Sequence, residues 1–211
     1  MDIKKVITNL VNALGNQEYS FNEALHSDAF IERYNFETGA KKVMLDTLQA
    51  INKHIVSYDH IDKRAFDSDF HRFQLSVEES MLFAWGYKSG SLCIIGIMYA
   101  DNLSDGEIKA LFSRFDDGVT NIMRNHTGRV SGGNNAGTYG TMMLVFSNPD
   151  KAKRFNNSIR DYYNSYFFKA TYISSMSIDC SSKTLTQGKA PLGGDWKYGL
   201  DIPLLRSQLF E

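Results

Sequence analysis

LCIIGIMYADNLSDGEIKALFSRF, running from Leu92 to Phe115, is the stretch whose reading decides the fold. Leu92 to Tyr99 is apolar at successive positions, so both faces of an extended chain would be oily there. That is the pattern of a strand buried inside a sheet rather than at its rim. Asp101 and Asn102 then form a turn. Ser104 and Glu107 follow at the spacing of a capping box, with Leu103 and Ile108 placed to make the accompanying hydrophobic staple. Ile108, Leu111, Phe112 and Phe115 continue at helical intervals, so the segment reads as a buried strand, a polar turn and an amphipathic helix.

Working outward toward the N-terminus, Met81 to Tyr87 is a second apolar run. It is separated from Leu92 by Lys88-Ser89-Gly90-Ser91, and two such runs around a short glycine-containing loop predict a β-hairpin. Phe73 and Leu75 flank Gln74 in alternation, which places the start of the sheet-containing part near Phe70. Asp59 to Asp69 is polar and reads as a connection or a short helix. Lys41 to Val56 carries Met44, Leu48, Ile51 and Ile55 on one helical face, and Tyr19 to Tyr34 suggests one or two short helices. Ile3, Val6, Ile7, Leu10, Val11 and Leu14 make a strong amphipathic helix, with Gly15 where it would stop.

Toward the C-terminus, Val119, Ile122 and Met123 extend the helical stripe. Asp116-Asp117-Gly118 interrupts it like a turn, but an interior glycine costs only about 1 kcal/mol relative to alanine. Whether residues 117–124 continue the helix or form a strand stays open at this level. Gly128 to Gly140 is a glycine-rich polar loop, and Thr141 to Phe146 is a short apolar strand. Asn148, Pro149 and Asp150 supply a cap, a first-turn proline and a first-turn acid for a helix whose apolar face is Phe155, Ile159, Tyr162 and Tyr166. Phe167 to Ile178 reads as a strand, Gly188 to Gly199 as a loop, and Leu204 to Phe210 as a last apolar segment. The expected architecture is α+β, or a three-layer α/β domain. N-terminal helices pack on a mixed sheet built from a β-hairpin followed by strand–helix–strand–helix–strand. One domain is expected over residues 1–211: a mainly helical part (1–69), a sheet-containing part (70–187) and a C-terminal loop and short helix (188–211).

Composition narrows the function classes. With 43% hydrophobic and 13% aromatic residues the chain has apolar surface enough for a real core. The net charge of -1 lacks the basic excess with which proteins grip a nucleic-acid backbone. The two cysteines, Cys93 and Cys180, are too few and too far apart for a disulfide framework or a zinc site, which fits a reducing, cytoplasmic setting. The longest apolar run, Leu92 to Ala100, is too short to span a bilayer, and the N-terminal stretch lacks the pattern of a signal peptide. No metal, no cofactor and no membrane contact are expected.

Two constellations offer binding chemistry. If the strands at Ile94, Met142 and Tyr172 are parallel, their carboxyl ends share one edge, where open α/β sheets place ligands. Asp101 and Asn102, Ser147 and Asn148, and Asp179 and Cys180 stand there. The second is the glycine-rich loop, whose backbone amides from Gly132 to Asn135 could hold an anion together with Arg129. The candidate ligand-binding residues are therefore Asp101, Arg129, Gly132, Gly133, Asn134, Asn135 and Asp179; no catalytic residue is assigned. Asp67, Asp69 and His71 alternate and would share one face of a strand.

Met98-Tyr99-Ala100-Asp101-Asn102-Leu103, Leu111-Phe112-Ser113-Arg114-Phe115, His126-Thr127-Gly128-Arg129 and Leu144-Val145-Phe146-Ser147-Asn148-Pro149-Asp150 together resemble an RNA-recognition motif. The resemblance places Tyr99 at a base-stacking position and implies single-stranded RNA binding on an open sheet. It requires Val119 to Arg124 to be a strand, and it meets Thr141 and Met143 where that family carries aromatic residues.

The leading expectation is a non-catalytic cytoplasmic protein acting through protein–protein contacts, with a protein partner or self-association. The alternatives are a small-molecule or anion-binding enzyme using the strand-end residues and the loop at 128–140, and RNA binding. Replacing Ser104 with Ala is expected to cost about 1 kcal/mol in chemical denaturation, because it removes the cap of the decisive helix; an unchanged midpoint would place that helix start elsewhere.

Overall fold

Asp2 accepts a hydrogen bond from the Lys4 amide (3.1 Å) and starts helix α1, Ile3–Asn16. In the computed structural model the described residues are 2–21, 46, 63–78, 80–88, 91–127, 138–165, 173–188 and 200–211. The helix does not stop on Gly15. It runs one residue further, to Asn16 with Gln17 as its cap, and the left-handed residue that closes it is Glu18 (φ 63°). Tyr19 N–H then reaches back to Leu14 O (3.0 Å) and Glu18 N–H to Gly15 O (2.9 Å), the two bonds of a Schellman cap.

The elements that follow are β1 (Ser20–Phe21), α2 (Lys63–Val77), β2 (Leu82–Lys88), β3 (Ser91–Tyr99) and α3 (Asp105–Ile122) with a π-helical turn, Met123–Thr127. Then come β4 (Thr138–Phe146), α4 (Pro149–Ser165), β5 (Ile173–Asp179), β6 (Thr184–Gln187) and α5 (Ile202–Leu209). The strands form one mixed sheet in the order β1-β2-β3-β4-β5-β6. β3, β4 and β5 are parallel, and β1, β2 and β6 pair antiparallel with their neighbours. The fold is α+β, as the order of sequence patterns implies.

Alternation along the strands sorts the core onto two faces. One face joins Cys93, Ile95, Ile97, Met143, Val145, Met176 and Ile178 to α1 and α5. The other joins Phe83, Ile94, Met98, Met142, Leu144 and Phe146 to α2, α3 and α4. β3 is buried on both, as its unbroken apolar run predicts. The crossovers β3–α3–β4 and β4–α4–β5 both advance in the same direction across the sheet, so their helices share one face.

Helix α3 is seated by missing side chains. A Cβ on Gly96 would lie 2.9 Å from the Phe115 ring, and one on Gly140 would lie 3.1 Å from it. The two glycines, on neighbouring strands of the same face, form a socket for Phe115. One turn later Gly118 does the same for α2, since a Cβ there would fall 2.0 Å from Phe73. Phe73 packs in turn on Phe70, Phe83 and Phe115, with centroids 5.0–5.8 Å away. The capping box is present as read: Ser104 Oγ accepts from the Glu107 amide and Glu107 Oε2 accepts from the Ser104 amide.

Several expectations need correction. Phe73 and Leu75 lie on α2, not on an alternating strand, and Asp67, Asp69 and His71 therefore share a helix rather than a strand face. Residues 117–122 continue α3, because Gly118 serves close helix packing rather than a turn. That removes the strand the RNA-recognition resemblance requires, and helices cover both sheet faces where that family leaves one open. β1 and β6 carried no sequence reading as strands. Of the helix expected at 41–56 only Asp46, which is helical, is among the described residues; the side chains of Ile159 and Tyr162, and Tyr166 itself, lie outside them. No helix among the described residues is long and apolar enough to cross a membrane.

At the outer edge, Gly188 N–H donates to Ser175 O (2.8 Å), which continues the β5–β6 ladder and fixes its phase. Thr184 and Thr186 bond inward to β5, so Leu185 turns its backbone groups outward. The Leu185 carbonyl accepts from the Arg206 guanidinium of α5 (3.3 Å). Helix α5 is itself held on α1 by Asn9 Nδ2 donating to Leu209 O (3.2 Å) and by reciprocal bonds between Gln17 and Asp201.

Gly118→Ala tests the helix contact. Helix propensity alone would make alanine better by about 1 kcal/mol. The Phe73 ring is locked by its neighbours, so the clash wins and the change is expected to cost about 1–3 kcal/mol in urea unfolding; a stabilised variant would show that α2 and α3 do not touch there.

Candidate functional site

The carboxyl ends of β3, β4 and β5 do share one edge, and Asp101 and Asp179 stand on it. Asp101 follows β3. Its carboxylate accepts from Tyr99 Oη (2.8 Å), from the Ser147 amide (3.2 Å), from the Asn148 amide (3.4 Å) and from the Ser147 hydroxyl. Its backbone carbonyl accepts from Lys151 Nζ. Asn148 Oδ1 takes the next amides of α4, from Asp150 (3.0 Å) and Lys151 (3.4 Å). One carboxylate and one cap thus use the donors at the start of α4 that would otherwise attract an anion. Burial, reinforced by the Asp101 charge and only partly offset by Ser147, raises the Tyr99 hydroxyl above the usual phenol range.

Asp179 ends β5 and is 5% exposed. One of its oxygens accepts from the Ser181 hydroxyl (2.7 Å) and the Ser181 (2.9 Å) and Ser182 (3.3 Å) amides; the other accepts from the Ser182 hydroxyl (2.6 Å). Burial opposes the charge, but the bonds from Ser182 and Ser181 outweigh it and hold the carboxyl below its ordinary value. These bonds close the β5–β6 turn, where Lys183 has φ 54°.

Asp101 and Asp179 thus occupy one edge but separate bonding networks. Arg129, Gly132, Gly133, Asn134 and Asn135 lie outside the described residues. The chain rejoins the sheet at Thr138, the amino end of β4, opposite the edge that holds the two acids. The switch-point crevice of doubly wound sheets needs adjacent connections to leave on opposite faces; here both leave on one.

Two further groupings were not legible in the sequence. His126, in the π-helical turn, lies 2.9 Å from Asp69 on α2, and Asn125 Nδ2 donates to the same oxygen (3.1 Å). Hydrogen bonds from His126 and Asn125, with Arg72 alongside, hold the Asp69 carboxyl below its ordinary range. The pair is 57 residues apart in sequence, so no spacing signals it. The second is a groove of about 240 Å³ between α4 and the β5–β6 hairpin, lined by Lys153, Asn156, Ser177, Asp179, Thr184 and Thr186 among others.

Burial pushes the Cys93 and Cys180 thiols up to about 11, so neither is a ready nucleophile at neutral pH. No group of three His, Cys, Asp or Glu residues that could hold a metal ion occurs among the described residues. Comparison with known proteins finds no matching family model, no matching curated protein and no matching solved structure.

The Asp179 turn has a signature in acid. Its folded pKa is depressed, so its stabilisation is present above the unfolded value of about 3.9 and is lost as pH falls through the folded one. Asp179→Asn is expected to lower the urea midpoint at pH 7 and to flatten the midpoint's decline below about pH 4. Parallel profiles for the two proteins would show that the turn bonds contribute nothing.

Proposed function

We propose that this protein is non-catalytic and acts in the cytoplasm through contact with another protein, a second copy of itself being one such partner. The observation that carries this reading is the use made of the polar edge. Asp101 ties β3 to the start of α4, Asp179 closes the β5–β6 turn, and Asn148 caps the helix. Groups that would do chemistry there hold the sheet together instead. Meanwhile Leu75 stands 55% exposed on the outer side of α2, beside the exposed His71 and Arg72. An exposed apolar side chain beside an arginine suits a contact surface better than a reacting centre.

Light scattering on the purified chain is expected to give a mass above the 23.9 kDa of one copy. Leu75→Asp is expected to shift that mass toward one copy while the far-UV circular dichroism stays that of the folded chain. A 23.9 kDa species at every concentration removes self-contact. Turnover of any substrate that is abolished by Asp101→Asn overturns the non-catalytic reading.

A further inference from the structure

The helix-facing side of β5 breaks the rule for a covered strand. Interior parallel strands are apolar on both faces, yet β5 turns Ile173, Ser175, Ser177 and Asp179 toward α4, with Ser175 1%, Ser177 2% and Asp179 5% exposed. Thr186 and Thr184 stand directly opposite Ser177 and Asp179 on β6, making a polar square on the sheet. Above it, Pro149, Ala152, Lys153, Asn156 and Asn157 form one stripe of α4 at helical spacing. A groove of about 240 Å³ lies between them.

The bonding around that groove leaves specific groups over. Asn156 Nδ2 donates to Ser177 Oγ (2.9 Å), while Asn156 Oδ1, although buried, has no hydrogen-bond partner. Turning the amide over would satisfy the oxygen with the Ser177 proton and orphan the NH₂ instead, so one polar group is surplus in either orientation. Ser182 spends its single proton on Asp179, so in the 2.8 Å contact between Ser182 and Thr184 the threonine donates. The lone pairs of Thr184 Oγ1 are then left to accept. Thr184 is exposed, so the group that calls for a partner from outside is the buried Asn156 amide, with Thr184 Oγ1 placed beside it to accept.

The charges decide the class of ligand. An anion would meet the Asp179 carboxylate and a cation would meet Lys153. The groove is smaller than the roughly 300–1,000 Å³ of pockets for drug-sized molecules. A ligand that donates and accepts from neighbouring atoms, and is neutral, matches this lining. We propose that the groove between α4 and the β5–β6 hairpin is a binding site for a small uncharged polyhydroxyl compound, a polyol or monosaccharide in size. This goes beyond the protein-contact reading and does not depend on it.

The test is a titration of the ¹⁵N-labelled full chain with glycerol, myo-inositol and glucose, each to about 100 mM, the range in which weak sites saturate. Sodium sulfate serves as the anion control. At least one polyol is expected to give saturable amide shifts at the Asn156 side chain and at residues 177, 179, 184 and 186, with sulfate giving none. Asn156→Leu and, separately, Thr184→Val are expected to weaken that binding by roughly tenfold or more. Thr184 is exposed, so its variant keeps the fold and remains informative if the Asn156 variant does not. No saturable shift with any polyol, shifts unaltered in the Thr184 variant, or shifts produced equally by sulfate would each overturn the proposal.

Discussion

The packing of Phe115 against bare backbone is the contact on which the rest of the structure depends. Gly96 and Gly140 lie on adjacent parallel strands and open a hollow where β3 and β4 meet. Phe115 fills it, which lets α3 approach the sheet closely, and Gly118 then lets α2 approach α3. The aromatic group Phe70, Phe73, Phe83 and Phe115 is the outcome, joining α2, β2 and α3 through one set of rings. Truncating a buried Phe of this kind typically costs about 3–5 kcal/mol. That is a large part of the stability of a single domain.

Once α3 is fixed, the edge follows. The chain leaving β3 must turn at Asp101 to begin α3, and α4 must begin just beyond β4 on the same face. The two turns are therefore neighbours, and the Asp101 carboxylate fills the space between them with Tyr99, Ser147 and Asn148. The polar edge is a consequence of two crossovers running the same way. A sheet whose order reversed would have opened a crevice at this place and left those donors to a ligand.

How much of this was legible depended on distance along the chain. The decisive strand–turn–helix, the hairpin, the capping box and the Asn148 cap are local, and periodicity with cap chemistry reveals them. The parallel core follows from their order. β6 was missed because four residues with one buried leucine carry too little pattern, and β1 because it has only two. Asp69 was misplaced since Phe73, Gln74 and Leu75 alternate by chance within a helix whose buried stripe is Phe70, Phe73, Gln74 and Val77. Its pairing with His126 depends on how α2 lies across α3, which Gly118 sets, and nothing near either residue encodes it. The α4 groove depends on which stripe of α4 lies over β5 and β6, and the polar spacing of Lys153, Asn156 and Asn157 alone equally fits a solvated helix face.

Arg206 bears on how the β6 rim of the sheet is closed. A rim strand offers its outward carbonyls as a template for any extended chain that drifts alongside. Here the Leu185 carbonyl is stoppered by a guanidinium delivered from the last helix of the chain, and that helix is clasped by the first. Helices α1 and α5 together therefore cover one outward carbonyl of the β6 rim. Removing the last turn of α5 would bare that carbonyl and would also withdraw the fully buried Leu209, with Phe210 packed beside it, from the core face that α1 shares.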